Sequence, residues 1–85
     1  GGEEFCVLLP DTDIEDAMMI AERIRTQVET SITHYEGHDL SVTISLGVAQ
    51  YNPDTDLSAK SVIDRADKAL YKSKQNGRNQ TNRAD

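Results

Sequence analysis

Eighty-five residues set a limit of one domain, and a chain of this size can bury only about 60–65% of its unfolded surface. With 36% hydrophobic residues, 5% aromatics and no Trp, any core is thin and aliphatic, and no apolar stretch approaches the ~20 residues of a membrane span. A net charge of −6 excludes a general nucleic-acid binder, which needs a broad basic face.

The sequence begins Gly1-Gly2-Glu3-Glu4 and runs directly into Phe5-Cys6-Val7-Leu8-Leu9, an apolar run stopped by Pro10. Such a run reads as a largely buried strand. Cys6, the single cysteine, excludes an internal disulfide and is expected to be a core thiol in a reducing cytoplasm. Thr12 precedes Glu15 at capping-box spacing, and Ile14, Ala17, Met18, Ala21, Ile24 and Val28 recur at helical intervals. A helix over about residues 13–30 is predicted. Ile32 to Tyr35 reads as a short strand, with Glu36-Gly37-His38 turning into a hairpin.

From Asp39 the pattern changes to period two. Leu40, Val42, Ile44, Leu46 and Val48 share one face, and Ser41, Thr43, Ser45, Gly47 and Ala49 share the other. One long strand is expected, with branched residues beneath the helices and the small-residue face open. A second helix starts at Ser58, with Leu57 stapling onto Val62. It carries Val62, Ile63, Ala66, Ala69, Leu70 and Ser73 before Asn76-Gly77 ends it. Residues 1–80 thus form the folded part, and 81–85 a polar tail expected to be disordered.

Strand, helix, strand, helix in this order, with one face covered, predicts an α+β fold of the ferredoxin-like or palm type, with an antiparallel-containing sheet. The strands present do not complete such a sheet.

Charge is unevenly distributed: residues 1–59 carry twelve acids against two bases, and residues 60–85 carry seven bases against three acids. Acids gathered opposite a short basic patch suit a metal–phosphate ligand, because divalent metals take carboxylates and phosphates take Lys and Arg. Gly1 and Gly2 allow a tight hairpin tip and close approach of a bulky ligand. Glu3 and Glu4 at that tip are candidates for holding a divalent cation. At the opposite end, Lys74 and Arg78 flank Gly77, where a left-handed turn reverses the chain.

GGEEF, the block Ala21-Glu22-Arg23-Ile24-Arg25, the strand Val42-Thr43-Ile44-Ser45-Leu46-Gly47-Val48-Ala49, the block Ala66-Asp67-Lys68-Ala69-Leu70-Tyr71-Lys72-Ser73-Lys74 and Gly77-Arg78-Asn79 occur here in order. In this arrangement the chain resembles the diguanylate cyclase family, the GGDEF domains, from residue 1 to about 80. Its first residues match a signature that lies mid-domain in that family, so the resemblance is to the C-terminal half. It implies a bacterial signalling transferase that condenses two GTP molecules to cyclic di-GMP, each GTP held by one protomer of a facing homodimer, with Mg²⁺ or Mn²⁺ as cofactor. By position, Glu3 and Glu4 would be catalytic metal ligands, and Gly1 and Gly2 would admit the nucleotide. Lys74 and Arg78 would clamp its phosphates, and Arg23 would contribute to a product-inhibition site whose upstream Arg-x-x-Asp motif is outside this chain. Glu3 stands where the family name writes Asp, a familiar variant.

The family's other metal-binding Asp and its guanine-reading residues are absent, so the 85 residues alone are expected to be inactive. Unpaired strand edges are expected to pair with another copy. A degenerate, non-catalytic nucleotide-sensing or docking module is the alternative. The location expected is cytoplasmic, with membrane attachment of the parent left to missing domains. Asp67 is read as structural and Tyr71 as packing. His34 and His38, separated by Gly37, and the sequon Asn79-Gln80-Thr81 are assigned no function.

Overall fold

The computed structural model describes Leu9 and residues 12–84. The signature Gly1 to Glu4, Cys6 and, apart from Leu9, the expected first strand lie outside the described residues.

Helix α1 spans Ile14–Thr30 and is capped by Asp13, whose carboxylate accepts the Asp16 amide at 2.9 Å. The cap is one residue later than the Thr12 spacing predicted. Glu15 and Asp16 in the first turn complement the positive end of the helix dipole. Ala17 and Ala21 are its buried residues, four apart and so on one face.

Strands β1 (Thr33–Tyr35) and β2 (His38–Leu40) pair antiparallel, with Tyr35 opposite His38. Glu36 and Gly37 connect them with φ of 49° and 79°, the double left-handed turn that matches strand twist in a two-residue hairpin. Among the described elements, this hairpin pairs only with itself.

The second sheet is a β-α-β unit. Strand β3 (Leu46–Val48) leads through helix α2 (Ala59–Gln75) to β4 (Thr81–Arg83), and β3 and β4 are parallel, with Gly47 opposite Asn82. Parallel neighbours require such a crossover. The ladder extends at both ends, through Leu46 N–H to the Gln80 carbonyl at 2.9 Å and Ala84 N–H to the Val48 carbonyl at 2.7 Å. Among the described residues the architecture is α+β, two helices with two small sheets.

Several local expectations are corrected. The strand predicted without a break from Asp39 to Val48 is two strands, because residues 41–45 take no place in either ladder. Residues 81–83 are β4 rather than a disordered tail: polarity of side chains does not prevent backbone pairing with an open strand edge. Leu57 is 92% exposed, so it does not staple onto Val62. Ser58 occupies the N-cap of α2, but its side chain makes no capping bond.

The small-residue face of β3 is not open. A Cβ at Gly47 would lie 2.2 Å from the Ala66 carbonyl oxygen and 2.2 Å from the Leu70 nitrogen, so α2 sits directly on it. Absence of a side chain there lets the helix backbone reach the strand. Ser73, fully buried, donates from its hydroxyl to the Leu46 carbonyl at 2.7 Å and receives the Asn82 side-chain amide at 2.8 Å. Polar groups with both partners in place are compatible with a buried site. No helix among the described residues is long and apolar enough to cross a membrane.

Candidate nucleotide-binding site

Helix α2 ends where the basic residues concentrate. Lys72 and Lys74 lie in its last turn, where cations complement the negative end of the helix dipole. Asn76 N–H bonds to the Lys72 carbonyl at 3.0 Å and Arg78 N–H to the Ser73 carbonyl at 2.9 Å, which satisfies carbonyls the last turn leaves over. Gly77, Arg78 and Asn79 follow with φ of 108°, 63° and 49°. Three consecutive left-handed residues fold the chain off the helix and into β4.

Lys74 is half-buried and Arg78 exposed, and among the described residues neither takes part in an ion pair. The structure therefore brings Lys74 and Arg78 to the same helix end with their charge uncommitted. A phosphate at the carbonyl end of a helix meets a repulsive dipole, so cationic side chains must supply the attraction. Arg23 lies on α1, exposed. Glu3, Glu4, Gly1 and Gly2 lie outside the described residues. Among the described residues, no group of three or more His, Cys, Asp or Glu side chains is placed to hold a metal. His34 instead lies 2.5 Å from Asp39 across the hairpin. Asp67 is exposed, and Tyr71, expected to pack, is 64% exposed.

Two polar networks flank this helix end and the start of α2. Arg25 of α1 is gripped by both oxygens of Glu22, at 2.8 and 2.9 Å. It reaches across to Asn79, donating to the side-chain oxygen at 2.9 Å and to the backbone carbonyl at 3.4 Å. The Arg25 guanidinium holds the Glu22 carboxyl below its usual pKa, and Glu22 in turn raises that of Arg25. Asn79 also donates its amide to Glu29 and its backbone N–H to the Ser45 hydroxyl, the latter at 3.1 Å. The second network centres on buried Asp56. It accepts from the Ser61 hydroxyl at 2.7 Å, the Asn52 amide at 2.7 Å and Arg65, which also donates to the Gln50 carbonyl at 2.6 Å. The hydrogen bond from Arg65, against the opposing effect of burial, holds the Asp56 carboxyl far below the usual range.

Reading the sequence did not single out Arg25, Asn79, Asp56 or Arg65 as a network. Arg25 and Asn79 lie within the family blocks Ala21 to Arg25 and Gly77 to Asn79, but no local pattern joins residues 54 positions apart.

Comparison with known proteins agrees with the resemblance. The family model "Diguanylate cyclase, GGDEF domain" matches residues 1–80. Diguanylate cyclase A of Treponema denticola is 58% identical over 79 residues, covering 93% of this chain and 21% of that protein. The response regulator PleD of Caulobacter vibrioides is 46% identical over 81 residues, covering 93% of this chain and 18% of PleD. The chain thus spans about a fifth of the length of the curated relatives it matches. Among solved structures, the GGDEF domain of DgcB from Caulobacter crescentus in complex with c-di-GMP superposes with a TM-score of 0.83 at 34% identity, over 91% of this chain and 44% of that one. On both sequence and backbone, the chain belongs to the diguanylate cyclase GGDEF domain family.

Proposed function

We propose that this chain is the C-terminal half of a catalytic domain that condenses two GTP molecules to cyclic di-GMP with release of pyrophosphate. The supporting observation is the end of α2, where Lys74 and Arg78 stand four residues apart, free of ion pairs among the described residues. A chain that gathers two uncommitted cations at one helix end, and two adjacent carboxylates elsewhere, suits a metal-bound triphosphate.

In this reading Lys74 and Arg78 bind the phosphates. Gly1 and Gly2 leave room for the nucleotide, and Glu3 and Glu4 are the carboxylates that would hold Mg²⁺ or Mn²⁺. A divalent ion at that position supplies neutralisation of phosphate charge. Each GTP belongs to one copy in a facing homodimer, which aligns the 3′-hydroxyl of one nucleotide with the α-phosphorus of the other. Arg23, exposed on α1, is available to bind product. The site is cytoplasmic, where GTP is found.

The test is incubation of the full-length polypeptide with GTP and Mg²⁺, with cyclic di-GMP and pyrophosphate measured by mass spectrometry. Turnover that is lost in Lys74→Ala and Arg78→Ala supports the proposal. A folded polypeptide that binds GTP without turnover supports the non-catalytic module instead. The 85 residues by themselves are expected to give no product.

A further inference from the structure

In the loop after α2, Arg78 holds a left-handed conformation that it does not favour on its own. Left-handed backbone is unfavourable for an ordinary L-residue, and Asn tolerates it better than Arg does. Arg78 at φ 63° lies between Gly77 at 108° and Asn79 at 49°. A run of this kind persists only when its surroundings over-determine it.

The over-determination comes from one residue on each side. Asn79 uses its backbone carbonyl and side-chain oxygen to accept from Arg25, its side-chain amide to reach Glu29, and its backbone N–H to reach Ser45. Arg25 is itself fixed by the two oxygens of Glu22, and its side chain is 15% exposed. A half-buried guanidinium held at both ends is a rigid strut, because its planar fork leaves little freedom once two carboxylate bonds are made. Helix α1 is thereby bolted to the residue after Arg78.

We infer that Arg25 and Asn79 are positioning residues for the phosphate-binding cation Arg78: the strut from α1 holds the loop backbone in the form that presents Arg78 beside the end of α2. This rests on the reading of Arg78 as a phosphate ligand. A purely structural strut would protect the fold equally whether or not Arg78 has a side chain. A positioning strut acts on ligand affinity only through Arg78.

The experiment is a double-mutant cycle in the full-length polypeptide, with Mg²⁺–GTP affinity measured by calorimetry well below the unfolding temperature. Hydrogen exchange over residues 74–82 is followed in parallel. Arg78→Ala is expected to weaken binding by about 10–100-fold, the range for loss of a charge-assisted hydrogen bond. Arg25→Met is expected to weaken it by about tenfold in the native background and to have no further effect in the Arg78→Ala background, which is the coupling the cycle isolates. Exchange at the Asn79 amide should accelerate in Arg25→Met. Asn79→Gly keeps a backbone that accepts positive φ and removes the side-chain bonds, so it should reproduce the affinity loss even if Arg25→Met folds poorly.

An Arg25→Met or Asn79→Gly effect that persists undiminished beside Arg78→Ala overturns the inference, as does unchanged exchange over 74–82 with unchanged affinity. A wild-type polypeptide that binds no Mg²⁺–GTP overturns the phosphate-site reading and the positioning role with it. Accelerated exchange in Arg25→Met would then show that the strut orders the loop for structural reasons alone.

Discussion

The guanidinium of Arg25 donates to the side-chain oxygen of Asn79 at 2.9 Å, joining the middle of α1 to the loop after α2 across 54 positions of sequence. Arg78, immediately before Asn79, is one of the two cations on which the proposed phosphate site depends. The basic helix end is thus braced from a second helix rather than left to fray.

The cations themselves should dominate triphosphate affinity. Lys74→Ala and Arg78→Ala are each expected to reduce GTP affinity by about 10–100-fold, with a shallower dependence of binding on salt than the wild type. Titration calorimetry at two ionic strengths checks both effects. A helix-end role confined to the dipole would leave affinity unchanged.

Gly47 is where helix and strand touch backbone to backbone. Gly47→Ala places a methyl group 2.2 Å from the Ala66 oxygen and the Leu70 nitrogen, and neither atom belongs to a side chain that can swing away. The expected loss is at least the roughly 1–3 kcal/mol typical of overpacking, read as a lower Tm by circular dichroism. A stability equal to that of the wild type would mean that α2 does not rest on β3 at this point.

Strand β4 should be structural. Ending the chain after Gln80 removes the pairing of Leu46–Val48 with Thr81–Arg83 and the Asn82 bond to Ser73. Each lost hydrogen bond is worth about 0.5–1.5 kcal/mol, so the truncated chain should unfold at clearly lower denaturant concentration. An unchanged midpoint would return residues 81–85 to the status of a tail.

Asp56 should make stability sensitive to acid. Hydrogen bonding to Arg65 lowers its folded-state pKa from 3.8. Its contribution is therefore complete above that value and is lost as pH falls through the folded-state pKa. Urea unfolding should show little change from this group between about pH 5 and 8 and a decline below about pH 4. Glu22, lowered from 4.5 by Arg25, contributes in the same direction. Asp56→Asn should lower stability at neutral pH and flatten the acid limb. A variant with an unaltered acid limb would assign the decline to other carboxylates.

The helices were legible in the sequence because their signals are local. Apolar residues at Ala17 and Ala21, and a glycine after Asn76, depend only on nearest neighbours along one helix, and α1 and α2 appear where these predict. The hairpin at Glu36-Gly37 was legible for the same reason. What was not legible required a partner distant in sequence. Gly47 reads as part of an open small-residue face until Ala66 and Leu70 are seen above it. Thr81 to Arg83 read as a tail until the edge of β3 receives them. Tyr71 reads as packing because aromatic residues usually pack, yet this helix turns it outward. For the candidate site, Lys74 and Arg78 were recognisable from the family blocks, whereas the strut that supports Arg78 joins two of those blocks and is visible only in three dimensions.

The most direct measurement is magnetic resonance of the isotopically labelled full-length polypeptide with GTP, titrated with Mn²⁺, whose paramagnetism broadens nearby amides. If acidic signature and basic helix end grip one metal-bound triphosphate, amides of residues 1–4 broaden while those from Lys74 to Asn79 shift at the same GTP concentration. Broadening centred on other carboxylates, or shifts at Lys74 and Arg78 with residues 1–4 unaffected, would contradict a shared nucleotide site.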